Sequence, residues 1–167
     1  MRICGKSCIR SIAPAFKLLT LITGLIVPGE YVQAQLALPT ASPSQVATAI
    51  HDCLESEGYP DALGKRNWRP EQMPPSGSAM RKYVSRTNPA WMPVPDKPGG
   101  ETICWVIARA ADERSKYEQS IGEVVGAKTN IGATGTMWLT KSHAFVLDWF
   151  SEQGLNGMRI EVHRIRP

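Results

Sequence analysis

Residues 1–34 hold a single acid, Glu30, and the remaining 133 residues hold only two cysteines, Cys53 and Cys104. No CxxC pair occurs, so the usual dithiol redox chemistry has no motif to work with. No apolar run approaches the length of a membrane span. The longest, Leu18–Val27, has ten residues and would reach only about 15 Å as a helix, roughly half a hydrocarbon core. A P-loop, GxGxxG, GxSxG and HExxH are all missing, which removes the common nucleotide, esterase-elbow and zinc-protease signatures. No cysteine lies just after the apolar run, so there is no acceptor for a lipoprotein anchor.

What the first segment does hold is an address. Arg2, Lys6, Arg10 and Lys17 precede the apolar run, Pro28-Gly29 breaks it, and Val32-Gln33-Ala34 offers modest residues at −3 and −1. This is the three-part pattern of a secretory signal, with cleavage expected after Ala34. Cys4 and Cys8 would leave with it. The mature chain is expected in the periplasm or outside the cell, with no stable membrane span after cleavage.

Cleavage changes the meaning of the charge. The whole chain has 19 Lys+Arg and 15 Asp+Glu, a net +4 with a sequence pI near 9.0. The mature part keeps 15 and 14, a net +1. The basic pI is thus largely a property of the leader, and a nucleic-acid partner is not expected. Two cysteines in an exported chain suggest one disulfide, Cys53–Cys104. Closing a loop of that size stabilises by about 4 kcal/mol in the chain-entropy treatment.

Residues 35–41 read as a flexible tail and 42–167 as one domain. Ser42-Pro43-Ser44-Gln45 is an N-cap, an N1 proline and a capping-box glutamine. Val46, Ala49, Ile50, Cys53 and Leu54 then form one helical face, ended by Gly58. Ile103–Ala108 is apolar on both pleat faces, as expected of a deep central strand, with Ile103, Trp105 and Ile107 on one side. Asp112 is the expected cap of a second helix carrying Tyr117, Ile121, Val124 and Val125 on one stripe. Residues 127–135 read as a turn-rich link. Thr136–Thr140, His143–Phe150 and Met158–Ile165 read as a closing antiparallel meander. The expected fold is α+β: two helices on one face of a small, mostly antiparallel sheet of four to five strands, with one disulfide.

Residues 59–100 stand apart, with eight prolines, and are expected to be a long irregular loop. Within it, Asp61–Gly64 suggests a turn of helix and Met80–Ser85 a short strand. Lys65, Arg66, Arg69, Arg81, Lys82 and Arg86 face one acid, Glu71, giving a local +5. Trp68, Tyr83 and Trp91 are interleaved. Cations beside aromatic rings suit an anionic, glycan or protein partner. The candidate binding residues are therefore Arg66, Trp68, Arg69, Arg81, Tyr83, Arg86 and Trp91. A simpler arrangement competes: the rings pin the loop to the core, and the cations meet Asp52, Glu55, Glu57 and Asp61 of the first helical region. Trp105, Trp138 and Trp149 are expected in the core.

The histidines specify little. His51 and Asp52 read as a solvated helix face, and His163 with Glu161 as a surface pair rather than a metal site. Ser142-His143 is a neighbour pair, whereas a triad must assemble across space. No cofactor, metal ligand set or catalytic residue is assigned. The expected function is a small exported, non-catalytic binding protein using the 65–92 segment. The alternatives are an envelope-acting hydrolase using His143, or an inhibitor of another secreted protein.

Overall fold

A computed structural model describes residues 38–71, 79–126, 128–131, 135–152 and 155–166. Contacts divide the chain into Met1–Gln35 and Leu36–Pro167, and every described residue belongs to the second unit. The expected leader, and residues 35–37 of the expected tail, lie outside the described residues.

Helix α1 spans Pro43–Ser56. Its start is the capping box expected from sequence: Ser42 Oγ accepts from the Gln45 backbone N–H, and Gln45 Oε1 accepts from the Ser42 N–H at 2.8 Å. Val46, Ala49, Ile50 and Cys53 form its buried stripe. The helix ends on Glu57, a non-glycine residue in the left-handed region at φ 50°. Gly58 follows at φ 72°. A Cβ there would lie 2.7 Å from the Ile103 carbonyl oxygen, so only glycine lets the chain turn this close to the central strand.

That strand, β5 (Thr102–Ala110), comes after β1 (Thr40–Ala41), β2 (Trp68–Pro70), β3 (Met80–Ser85) and β4 (Met92–Pro95). Helix α2 (Pro60–Lys65) lies between α1 and β2. Helix α3 (Arg114–Val125), β6 (Lys128–Ile131), β7 (Gly135–Leu139), β8 (His143–Glu152) and β9 (Leu155–Arg164) complete the chain. Among the described residues the fold is α+β, with three helices and one disulfide.

Two sheets form where one of four to five strands was expected. The larger has the order β1-β5-β9-β8-β7-β6 and the smaller β2-β3-β4. All pairings are antiparallel except the two-residue β1 on β5. Tail residues Thr40 and Ala41 are therefore part of the sheet. Tyr117 helps hold them, because its hydroxyl donates to the Ala41 carbonyl at 2.6 Å and accepts from the Ala111 N–H at 2.7 Å.

Three other expectations need correction. The described residues of 59–100 are not one irregular loop, because four of the prolines fall where they do least harm. Pro60 opens α2, Pro70 ends β2, and Pro93 and Pro95 lie in the edge strand β4. The 127–135 link contains β6, paired with β7 from Lys128↔Trp138 to Ile131↔Gly135. Asp112 does not cap α3; Glu113 holds that position without a side-chain bond, while Asp112 pairs with Lys116 one turn on.

Cys53 and Cys104 form the expected disulfide, with Cα atoms 6.3 Å apart and both residues fully buried. The bond joins α1 to β5 in the middle of the core. Cys104, Val162, Phe145 and Trp138 form one cross-strand row from β5 through β9 and β8 to β7, and all are buried. A bulge between Thr102 and Cys104 makes Ile103 an extra residue, which is why Ile103 and Cys104 are both buried despite being neighbours.

Candidate functional site

The structure separates the seven candidate residues into core, brace and surface. Trp68 and Tyr83 are core side chains, 1% and 2% exposed, and so are not available for stacking on a ligand. Trp68 Nε1 donates to Asp52 Oδ2 at 2.9 Å, and Arg66 reaches Asp52 and Glu55 at 3.2 Å each. Asp52 is thus a fixed acceptor rather than a solvated group. These contacts form the bracing arrangement in which rings pin the segment and cations meet the acids of α1. Arg81 lies 3.6 Å from Asp96. Arg69 and Arg86 are exposed and make no ion pair among the described residues. Trp91 alone joins a larger constellation.

That constellation lies on the strand faces turned away from the Cys104 row. Trp91 makes a two-bond antiparallel bridge with Ile107, both N–H···O contacts at 2.9 Å, which ties the smaller sheet to the edge of β5. Directly opposed residues share a face, so Trp91 and Ile107 stand side by side. Trp105 is two residues back on the same face of β5. The register continues across the larger sheet: Trp105 opposes Glu161, Ile107 opposes Arg159, and Arg159 opposes Asp148. Trp91, Trp105, Ile107 and Phe150 are all half-buried. The expectation of Trp105 as a core residue is corrected here, while Trp138 is in the core and Trp149 packs against it.

Polar groups are woven through this ridge. Arg159 Nη2 is 2.9 Å from Asp148 Oδ2, its Nε is 3.0 Å from Glu161 Oε1, and its guanidinium carbon is 5.3 Å from the Trp105 ring centroid. Glu161 Oε2 lies 3.1 Å from His163 Nε2. Lys82 Nζ sits 3.8 Å over the Trp91 ring and pairs with Glu71. Burial pushes the Lys82 ammonium below the ordinary lysine value. Trp105 Nε1 is buried without a hydrogen-bond partner among the described residues.

A shallow groove of about 390 Å³ runs along the ridge, lined by Trp105, Ile107, Phe150, Ser151 and Arg159. Phe150, one of its lining residues, lies over Gly157, its cross-strand partner. A Cβ at Gly157 would come within 2.4 Å of the ring, so glycine is what lets Phe150 lie flat. Sequence reading missed Phe150 and Arg159 as site residues. The available signal was alternation in β9, which placed Arg159, Glu161 and His163 on one face, but cross-strand register is not legible in one chain.

Among the described residues, no group of three or more His, Cys, Asp or Glu could hold a metal ion. No helix of the described residues is long and apolar enough to cross a membrane.

A second cluster lies where α1 ends. His143 opposes Arg164 across β8 and β9, and Arg164 pairs with Glu57. That bond raises the Arg164 guanidinium above its ordinary value. His143 Nε2 is 3.4 Å from Glu57 Oε1, and His143 Nδ1 is 2.9 Å from Ser142 Oγ.

No protein-family model, curated protein or solved structure matches this chain.

Proposed function

We propose that this chain is an exported binding domain whose ligand is a neutral glycan of the cell envelope, held on the Trp91–Ile107–Trp105–Phe150 ridge. Export rests on the basic, apolar and small-residue pattern of residues 1–34. In this reading the two long helices, α1 and α3, cover the opposite face of the larger sheet. Supporting that placement, Cys53 bonds to one end of the Cys104–Trp138 row. At the other end, a Cβ at Gly122 of α3 would lie 3.6 Å from Trp138 Nε1.

One observation carries the ligand class. The ridge presents half-buried rings, but the cations beside those rings are already paired: Arg159 with Asp148 and Glu161, and Lys82 with Glu71. A polyanion would find its charge opposed by three carboxylates. A sugar ring brings C–H faces to stack on indole and hydroxyls to share the Asp148 and Glu161 carboxylates, without a charge to neutralise. Arg69 and Arg86, which make no ion pair among the described residues, are not among the residues lining the groove.

The test is a tryptophan-fluorescence titration of residues 35–167 with a neutral N-acetylglucosamine tetramer and, separately, with heparin. The tetramer should shift the emission, and Trp105→Ala should weaken its binding about tenfold or more. Binding of heparin alone, lost in an Arg69→Ala/Arg86→Ala variant, would replace this reading with an anionic one.

A further inference from the structure

The cluster where α1 ends has the parts of an activated hydroxyl, and it is separate from the ridge. Glu57 holds a left-handed backbone, φ 50°, that costs a non-glycine residue free energy and persists only when its surroundings demand it. Its carboxylate is bonded by Arg164 and lies 3.4 Å from His143 Nε2. Nε2 is buried and makes no hydrogen bond among the described residues. The nearby carboxylate's field favours an N–H over a bare lone pair at that nitrogen, so we place the ring proton on Nε2. The Nδ1 lone pair then faces the Ser142 hydroxyl at 2.9 Å. Nucleophile and base share a hydrogen bond, and the fold adds from a distant part of the sequence an acid 3.4 Å from the base's other nitrogen.

A second observation concerns the surroundings. The exposed large apolar side chains of the described residues are Tyr59, Leu139 and Ile165. Leu139 ends the strand leading into this turn, the Ile165 N–H donates to the Ser142 carbonyl at 2.8 Å, and Tyr59 follows the Glu57 cap. An exposed serine on a polar network is thus attached to the segments that carry exposed apolar surface.

We infer that Ser142 is a nucleophile accepting an apolar acyl group from an ester. Ser142 Oγ forms a bond to the acyl carbon and gives its proton to His143 Nδ1. The ester C–O bond breaks, and the departing alkoxide takes that proton. Water, deprotonated by the same nitrogen, then cleaves the acyl-serine to the free acid and restores the hydroxyl.

The experiment exposes residues 35–167 to an alkyl fluorophosphonate in mildly alkaline buffer, where serine attack breaks the P–F bond and releases fluoride. Intact mass and peptide mapping read the product, with p-nitrophenyl butyrate hydrolysis as a parallel readout. One adduct on Ser142 is expected. It should be absent in Ser142→Ala and form at least about tenfold more slowly in Glu57→Gln. The Ser142 hydroxyl is exposed and bonds only His143 among the described residues, so Ser142→Ala tests the inference even if Glu57→Gln unfolds. No adduct on the wild type, an adduct that survives Ser142→Ala, or an unchanged rate in a folded Glu57→Gln would each overturn it.

Discussion

Trp68 and Asp52, sixteen residues apart, meet through a 2.9 Å hydrogen bond from the indole Nε1 to a carboxylate that also holds Arg66. The bond turns the first segment after α1 into a brace for the core. A basic-aromatic sequence that suggested a ligand surface spends two of its three rings and its best-placed arginine on structure.

Removing that bond has a defined cost. Trp68→Phe leaves Asp52 with only its half-exposed arginine partner and should destabilise by about 1–3 kcal/mol. Arg69→Ala, at an exposed position, should stay within about 0.5 kcal/mol of the parent. Urea unfolding followed by circular dichroism measures both. Equal effects at the two positions would contradict the bracing role.

The disulfide should dominate the domain's stability. Both sulfurs are in the core and the bond closes a separation of 51 residues. The Cys53→Ala/Cys104→Ala variant is expected to lose about 4 kcal/mol, most of a marginal domain's stability. Unfolding curves with and without reductant check this. Because the bond is buried, reductant should act on the native protein only as fast as the protein opens.

Gly157 and Phe150 form a second structural pair. In Gly157→Ala the new methyl group occupies space held by the Phe150 ring, so the ring must lift and the groove must change shape. A loss of about 1–3 kcal/mol is expected, with altered tryptophan emission from the neighbouring Trp105. Gly64→Ala meets no atom within 4 Å and is the matching control.

Local signals carried much of the fold. The capping box at Ser42, the helical stripe through Cys53, the strand at Ile103–Ala108 and the closing meander strands all depend on residues close in sequence. The proline-bearing sheet was not legible, because Pro93 and Pro95 read as breakers until β4 is known to be an edge strand. Nor was the ridge. Trp91, Trp105 and Phe150 come together only through the Trp91–Ile107 bridge and the β5-β9-β8 register, neither of which one sequence fixes. Glu57 reads as an ordinary helix-end acid until its left-handed backbone and its neighbours His143 and Arg164 are seen.

The ridge is tested most directly by mapping amide and indole chemical-shift changes on residues 35–167 as the neutral N-acetylglucosamine tetramer is added. The largest changes are expected at the Trp105 and Trp91 indoles and at the Ile107, Phe150 and Arg159 amides. Changes centred on Arg69 and Arg86, or none on the ridge at saturating ligand, would contradict it.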